Sequence, residues 1–346
     1  MRNAVAGLLI AVASSAQATP SLLVDTGSLQ VLRSKDAGRA WYPASTTKLM
    51  TAFVAFEQLR AGRVALAQDV TFSRKALARE SVQSGLKPGS VMSLEDALYA
   101  MLAVSANEAA AAIAETVAGN EADFVAMMND AARRLGMTGT HFVNPDGLFD
   151  RRQVSTARDL ALLGVAIDRN FPEYLRFFDR SEVSIDGRVL KSSDEVIRRF
   201  PGAIGLKTGF VCASGRNLVS LAVRGEGRLV AVVLGATTER ERSERIAQLL
   251  QYGFAKADDK GPKLRALQNQ KTSKPEDLRV RLCGPQAAAY ERRQRKLYPM
   301  GHAGQASFLG APTAPKTWKI RTRSTSVATS PSPPSPAPRP SALREQ

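Results

Sequence analysis

Pro43-Ala44-Ser45-Thr46-Thr47-Lys48 leads into Leu49, Met50, Phe53 and Val54, apolar residues at helical spacing. Ser45 and Lys48 are three residues apart, so a helix starting here projects both side chains on one face, a turn apart. A serine hydroxyl attacks a carbonyl only when a neighbouring base takes its proton. Histidine is scarce: the 346-residue chain has two, His141 and His302. A Ser-His-Asp triad would have to use one of them. A desolvated lysine one turn away is the other candidate, and Lys48 stands at that place.

Two more short motifs follow. Ser105-Ala106-Asn107 falls at a break between two helical stretches. A loop there aims a hydroxyl that can relay a proton and an amide that can hold a substrate carbonyl. Lys207-Thr208-Gly209 stands on or beside a strand, between Leu206 and Phe210. Its lysine and threonine offer one charge and one hydroxyl donor to a carboxylate, and Gly209 lets a substrate backbone approach.

Around these motifs the pattern alternates between strand and helix. Ser21–Val24 and Leu29–Arg33 flank Asp25-Thr26-Gly27-Ser28 as a hairpin, which reads that Asp-Thr-Gly as a turn rather than an aspartic-protease site. Ser93 and Asp96 form a capping-box pattern before Leu94, Ala97, Leu98, Met101 and Leu102. After the break near Ser105, an Ala-rich helix runs to about Ala118, and another runs from Phe124 to Leu135, stopped by Gly136. From Ala203 strands return: residues 217–223 and 228–234 form a hairpin across Arg224-Gly225-Glu226-Gly227. Thr238 and Glu241 cap a last helix with an Ile246, Leu249 and Leu250 stripe, ended by Gly253. The order predicts a mixed α/β (α+β) domain: an antiparallel sheet joins both ends, helices flank it, and an inserted all-helical lobe creates a cleft.

The two ends of the chain differ from this body. Arg2, an apolar run over residues 4–13 and Ala16-Gln17-Ala18 have the form of a secretory signal peptide over residues 1–18. The expectation is an exported, periplasmic or extracytoplasmic protein with a catalytic domain over residues 19–254. A basic extension over residues 255–310 and a Pro/Ser-rich flexible tail over residues 311–346 follow it. The formal net charge is +16. Residues 1–254 carry only +4 of it and residues 255–346 carry +12, so the charge gives no reason to expect a nucleic-acid partner. A basic arm is instead attracted to anionic membrane or cell-wall polymer, peripherally. Too few histidines are present for a zinc site built on several of them, and no H-E-x-x-H occurs, so no metal is expected. Cys212 and Cys283 form no C-x-x-C pair. Two cysteines in an exported chain favour a bridge.

S-x-x-K, S-x-N and K-T-G in this order form a recognised set. With Gly85-Leu86-Lys87-Pro88-Gly89, Phe142-Val143-Asn144-Pro145-Asp146-Gly147-Leu148, Ser155-Thr156-Ala157-Arg158-Asp159-Leu160 and Val232-Val233-Leu234-Gly235-Ala236, the chain resembles the serine-type D-alanyl-D-alanine carboxypeptidases. These are low-molecular-mass penicillin-binding proteins, and the resemblance covers about residues 20–255. It implies a β-lactamase/transpeptidase-like fold. It also implies that Ser45 attacks the penultimate D-alanine of a peptidoglycan stem peptide, with Lys48 as base and Ser105 as proton relay. Asn107 would orient the peptide, and Lys207 and Thr208 would hold its carboxylate. The backbone N–H groups of Ser45 and Phe210 would form the oxyanion hole. β-Lactam antibiotics would acylate Ser45, and no cofactor would be needed.

Two departures from the family pattern stand at the cleft rim. Leu190-Lys191-Ser192-Ser193-Asp194-Glu195 replaces an Asn/Arg- or His-Asn-containing stretch, and Ala203-Ile204 replaces an acidic residue before Gly205. A β-lactamase would need a deacylating glutamate, usually in Glu-x-x-Leu-Asn, and none is found. A catalytically weak scaffold that binds peptidoglycan or membrane through its basic tail is the remaining alternative.

Overall fold

The computed structural model describes residues 19–79, 82–256, 261–270, 274–297, 299 and 304–324. The expected signal peptide and the Pro331–Pro340 stretch lie outside the described residues. A five-stranded sheet forms the centre, in spatial order Val31–Lys35, Ser21–Asp25, Gly227–Ala236, Gly215–Arg224 and Ala203–Val211. Every neighbouring pair is antiparallel. The strand that carries Lys207 is therefore an edge strand.

Successive residues on these strands belong to opposite cores, as a side-chain period of two requires. Leu22, Val24, Val219, Leu221, Val230 and Val232 pack into one cluster, which includes Phe53, Leu160 and Leu163. Leu23, Leu218, Ala222, Leu229, Ala231 and Val233 pack into the other, with Ile246, Ala247 and Leu250 of the helix Glu239–Ala255. Burial on both faces explains why these strands read as nearly continuous apolar runs.

The helices start where their caps stand. Ser93 Oγ accepts from Asp96 N at 3.1 Å ahead of Leu94–Ala103, and Thr238 Oγ1 accepts from Glu241 N at 3.1 Å ahead of Glu239–Ala255. Asn120 caps Glu121–Leu135, so that helix begins three residues before the Phe124 expected from the apolar pattern. The first hairpin also shifts. Ser28 N donates to Asp25 Oδ1 at 2.6 Å and Leu29 takes φ +61°, so the turn runs through Leu29 and the second strand begins at Val31.

The helix Ala157–Asn170, capped by Thr156, lies between the sheet and the Lys48–Arg60 helix and is buried through Asp168. Its charges are paired inside: Arg158 with Asp159 at 2.6 Å, and Asp168 with Thr26 at 2.7 Å.

Several described residues of the C-terminal segment pack against the body. Leu264, Leu278 and Leu309 are buried in the cores of the body. Thr317–Ile320, expected in a flexible tail, pairs in parallel with Glu182–Ile185, and Arg323–Ser324 pairs with Ser90–Ser93. Trp318 stacks on Tyr99 with ring centroids 4.0 Å apart, and its indole N–H donates to Asp96 Oδ1 at 2.8 Å. Such a pair contributes about 1 kcal/mol beyond area burial. A few widely spaced apolar side chains dock onto a preformed surface, and they need no periodic pattern to do so. These described residues of the segment thus pack on the body. Among the described residues no helix is long and apolar enough to cross a membrane.

Candidate active site

Ser45 lies in the 3-10 turn Ala44–Thr47, which runs straight into the helix Lys48–Arg60. The turn is held open by strain and by close neighbours. Ala44 takes φ +49°, a conformation that L residues rarely adopt. Asn217 donates to both Tyr42 O and Pro43 O at 3.0 Å, and Thr46 Oγ1 donates to Pro43 O at 2.7 Å. Gly147 presses on the same turn, where a Cβ would stand 2.0 Å from the Ala44 carbonyl oxygen.

Lys48 is fully buried. Its ammonium Nζ donates to Ser45 Oγ at 3.1 Å, to Asn107 Oδ1 at 2.7 Å and to the Asp146 carbonyl at 2.5 Å. Burial lowers its pKa from 10.5 to about 8, although the Asp146 and Glu108 carboxylates act in the opposite direction. A buried amine close to neutrality and in contact with a hydroxyl can take that hydroxyl's proton.

Ser105 sits between the helices Leu94–Ala103 and Asn107–Ala118, as the sequence expects, with φ +65°. It lines the same cleft as Ser45, Asn107, Thr208, Gly209 and Phe210. On the opposite wall, the edge strand brings Lys207 to this centre. Lys207 is buried, and its pKa is held well below the usual lysine value by desolvation and by the Lys48 charge, against the pull of Asp194. Thr208 Oγ1 lies 3.1 Å from Ser193 Oγ. A Cβ on Gly209 would stand 3.0 Å from Pro43 O, Ser45 N and Thr46 N. Only glycine lets the strand approach the nucleophile turn without displacing it. That approach brings Gly209 alongside the Ser45 N–H, with Phe210 next on the strand and lining the same cleft.

The geometry adds residues that the motifs do not name. Arg242 lines the cleft from the helix Glu239–Ala255, is 1% exposed and donates to the Ser193 carbonyl. Asp194 is buried beside it. Desolvation raises its carboxyl pKa, while Arg242 and Lys207 oppose that shift. The stretch that departs from the family pattern therefore supplies Ser193 to Thr208 and Asp194 to the two cations. A signal for Arg242 existed: it lies four residues before Ile246 and eight before Leu250, a charge on an apolar helix face. Asp146 is also buried, with Arg79 at 2.7 Å on its carboxylate. It fixes the loop whose carbonyl receives Lys48.

Cys212 and Cys283 are joined in a disulfide, as the sequence favours. The bridge ties the C-terminal extension to the strand end beyond Phe210.

The cleft thus gathers a serine hydroxyl in contact with a buried amine, a second serine hydroxyl and, on the edge strand beside it, a buried lysine. The chain belongs to the D-alanyl-D-alanine carboxypeptidase family, whose model matches residues 9–238. It is 36% identical over 255 residues to the D-alanyl-D-alanine carboxypeptidase DacC of Escherichia coli, covering 70% of this chain and 62% of that protein. It is 30% identical over 248 residues to DacF of Bacillus subtilis, covering 69% and 62%. The match thus spans about three-fifths of the length of these curated relatives. Among solved structures, the D-alanyl-D-alanine carboxypeptidase DacD of Francisella tularensis superposes with a TM-score of 0.67 at 26% identity, covering 69% of this chain and 70% of that one. Penicillin-binding protein D2 of Listeria monocytogenes, in its ampicillin-bound form, gives 0.63 at 31% identity, covering 68% and 97%. The expected β-lactamase/transpeptidase-like fold is the one these neighbours share with this chain.

Proposed function

We propose that this chain is a serine D-Ala-D-Ala carboxypeptidase that removes the terminal D-alanine from peptidoglycan stem pentapeptides. The observation that carries the reading is the 3.1 Å contact between Ser45 Oγ and the fully buried Lys48 Nζ, in a cleft whose other wall is Thr208 and Gly209, next to the buried Lys207 on the same strand. Neutral Lys48 takes the Ser45 proton as Oγ attacks the penultimate D-alanine carbonyl. The Ser45 and Phe210 N–H groups receive the oxyanion, and Ser105 passes a proton to the leaving D-alanine nitrogen. Water then hydrolyses the ester and frees Ser45. Lys207 and Thr208 hold the terminal carboxylate, with Arg242 adding charge behind them. A penicillin presents the same carboxylate and a reactive carbonyl, so it acylates Ser45.

The Arg2 start, the apolar run over residues 4–13 and Ala16-Gln17-Ala18 support export to the periplasm or another extracytoplasmic space. The excess of basic residues after position 254 supports peripheral attraction to an anionic surface, weakened by salt.

The test is D-alanine release from a synthetic pentapeptide by the full chain and by Ser45→Ala. Release that Ser45→Ala abolishes is the expected result. No release by the unsubstituted chain, with retained binding to cell-wall sacculi, would favour the scaffold instead. Fluorescent penicillin separates the third reading: persistent labelling is expected, and rapid turnover would indicate a β-lactamase.

A further inference from the structure

Lys48 has one hydrogen-bond acceptor outside the three short motifs. Its Nζ lies 2.5 Å from the Asp146 carbonyl, closer than to Asn107 or to Ser45. Residues 144–148 form the loop that presents this carbonyl, and several bonds shape it. Thr51 Oγ1 donates to Pro145 O at 2.6 Å, Gly147 N to Asn144 Oδ1 at 2.8 Å and Leu148 N to Asp146 Oδ1 at 2.8 Å. The second carboxylate oxygen of Asp146 accepts from Arg79 at 2.7 Å. The Asp146 side chain is fully buried, whereas that of Arg79 is 23% exposed. Asp146 thus meets one cation at its carbonyl and another at its carboxylate.

Arg79 is itself held from a second side. It stands two residues past the short helix Arg74–Leu77, and its other terminal nitrogen donates to Glu121 Oε1 at 2.9 Å. Glu121 opens the helix Glu121–Leu135, and the Lys75 ammonium lies 3.8 Å from its carboxylate. The guanidinium fork therefore spans two carboxylates from different elements, which fixes its place. The charges that face Lys48 are Asp146 from the loop and Glu108 from the helix Asn107–Ala118, which favour its ammonium, and Lys207 from the edge strand, a like charge. Arg242 stands behind Lys207. A cation in contact with the Asp146 carboxylate cancels part of the field which that carboxylate sends to Lys48, most strongly where water is excluded.

We propose, on the reading just given in which Lys48 is the base, that Arg79 is a positioning residue for it. Paired with Asp146, Arg79 holds residues 144–148 against the amine and offsets the carboxylate that would otherwise keep the amine protonated. It acts through Asp146 and lies outside the lining of the Ser45 cleft.

The test reads Lys48 directly. In the full chain labelled with carbon-13 at lysine Cε, NMR follows the Lys48 signal across a pH titration, the signal being assigned by its loss in Lys48→Met. In Arg79→Gln the midpoint is expected to rise by about one pH unit, which leaves about tenfold less neutral amine at pH 7. Labelling by fluorescent penicillin should slow about tenfold at that pH and recover to within about twofold of the parent on the high-pH plateau. Arg79→Lys keeps the charge and should keep the parent midpoint. Asp146→Asn removes the opposed charge and should lower the midpoint, and adding Arg79→Gln to it should bring the midpoint back up toward the parent. That double variant leaves no buried carboxylate unpaired at this place, so it decides the matter even where Arg79→Gln alone does not fold. A midpoint in Arg79→Gln at or below the parent value overturns the proposal, as does a double variant whose midpoint stays with that of Asp146→Asn. D-alanine release is read separately on the unsubstituted chain. Shifted midpoints without release sink the carboxypeptidase reading alone, and release with unshifted midpoints sinks the role of Arg79 alone.

Discussion

In the proposed mechanism, acylation of Ser45 depends on neutral Lys48, and burial sets the pH at which that form appears. With a pKa of about 8, roughly a tenth of Lys48 is neutral at pH 7, half at pH 8 and nine-tenths at pH 9. The second-order rate of labelling by fluorescent penicillin should therefore rise about tenfold from pH 7 to pH 9, with its midpoint near 8. The perturbation is Glu108→Gln. Glu108 is buried, and its charge favours protonated Lys48. Removing that charge should move the midpoint to lower pH and raise the rate at pH 7, while the plateau above pH 9 stays near the parent value. Time-resolved gel fluorescence across this range measures both curves. A flat parent profile, or a midpoint that moves upward in Glu108→Gln, would refute the assignment of Lys48 as the base. The same burial has a consequence for stability. The unfolded chain protonates Lys48 near 10.5, well above the folded value of about 8. Below pH 8 the buried charge therefore costs the fold about 3 kcal/mol, and the cost is relieved as pH rises from 8 past 10.5.

The remaining predictions concern backbone approach and the extension. Gly209→Ala should leave a folded protein whose penicillin labelling is slower by about tenfold or more, because a Cβ 3.0 Å from the Ser45 turn shifts the strand; an unchanged rate would remove the argument for close approach. Gly147→Ala should be far more damaging. A Cβ 2.0 Å from the Ala44 carbonyl, at φ +88°, cannot be accommodated locally, so a loss of about 3 kcal/mol or more in denaturant unfolding is expected. Cys283→Ser should lower stability by about 4 kcal/mol through the lost 71-residue closure, and thiol titration of the unreduced, denatured parent should find no free thiol. Trp318→Ala should lower the unfolding free energy by about 2 kcal/mol, since Trp318 stacks on Tyr99 and bonds Asp96. No effect would mean that the terminal strand does not stay docked.

Much of the molecule is legible from local pattern. Ser45 and Lys48 meet because a three-residue interval closes one turn, and the structure keeps that contact. The Ser93 and Thr238 caps act where the sequence places them. The hairpin across residues 224–227 follows from Val- and Leu-rich runs around glycines. Each of these is a short-range relation, so neighbouring residues carry the whole signal.

Tertiary structure decided the rest, for one physical reason. A contact between distant segments needs a single side chain on each, and a single side chain leaves no period. The Lys48 ammonium finds Asn107 59 residues away and the Asp146 carbonyl 98 away. Arg242 reaches the cleft from a helix whose sequence marks it only as a charge on an apolar face. The basic, proline-rich end reads as an unstructured arm by composition. Yet Leu264, Leu278, Leu309 and Trp318 pack on the body, because a ready surface and an open sheet edge were there to receive them. The sequence by itself determined which groups the proposed chemistry uses; only the fold determined what surrounds them, because burial, and with it the pKa of Lys48, belongs to the assembled cleft.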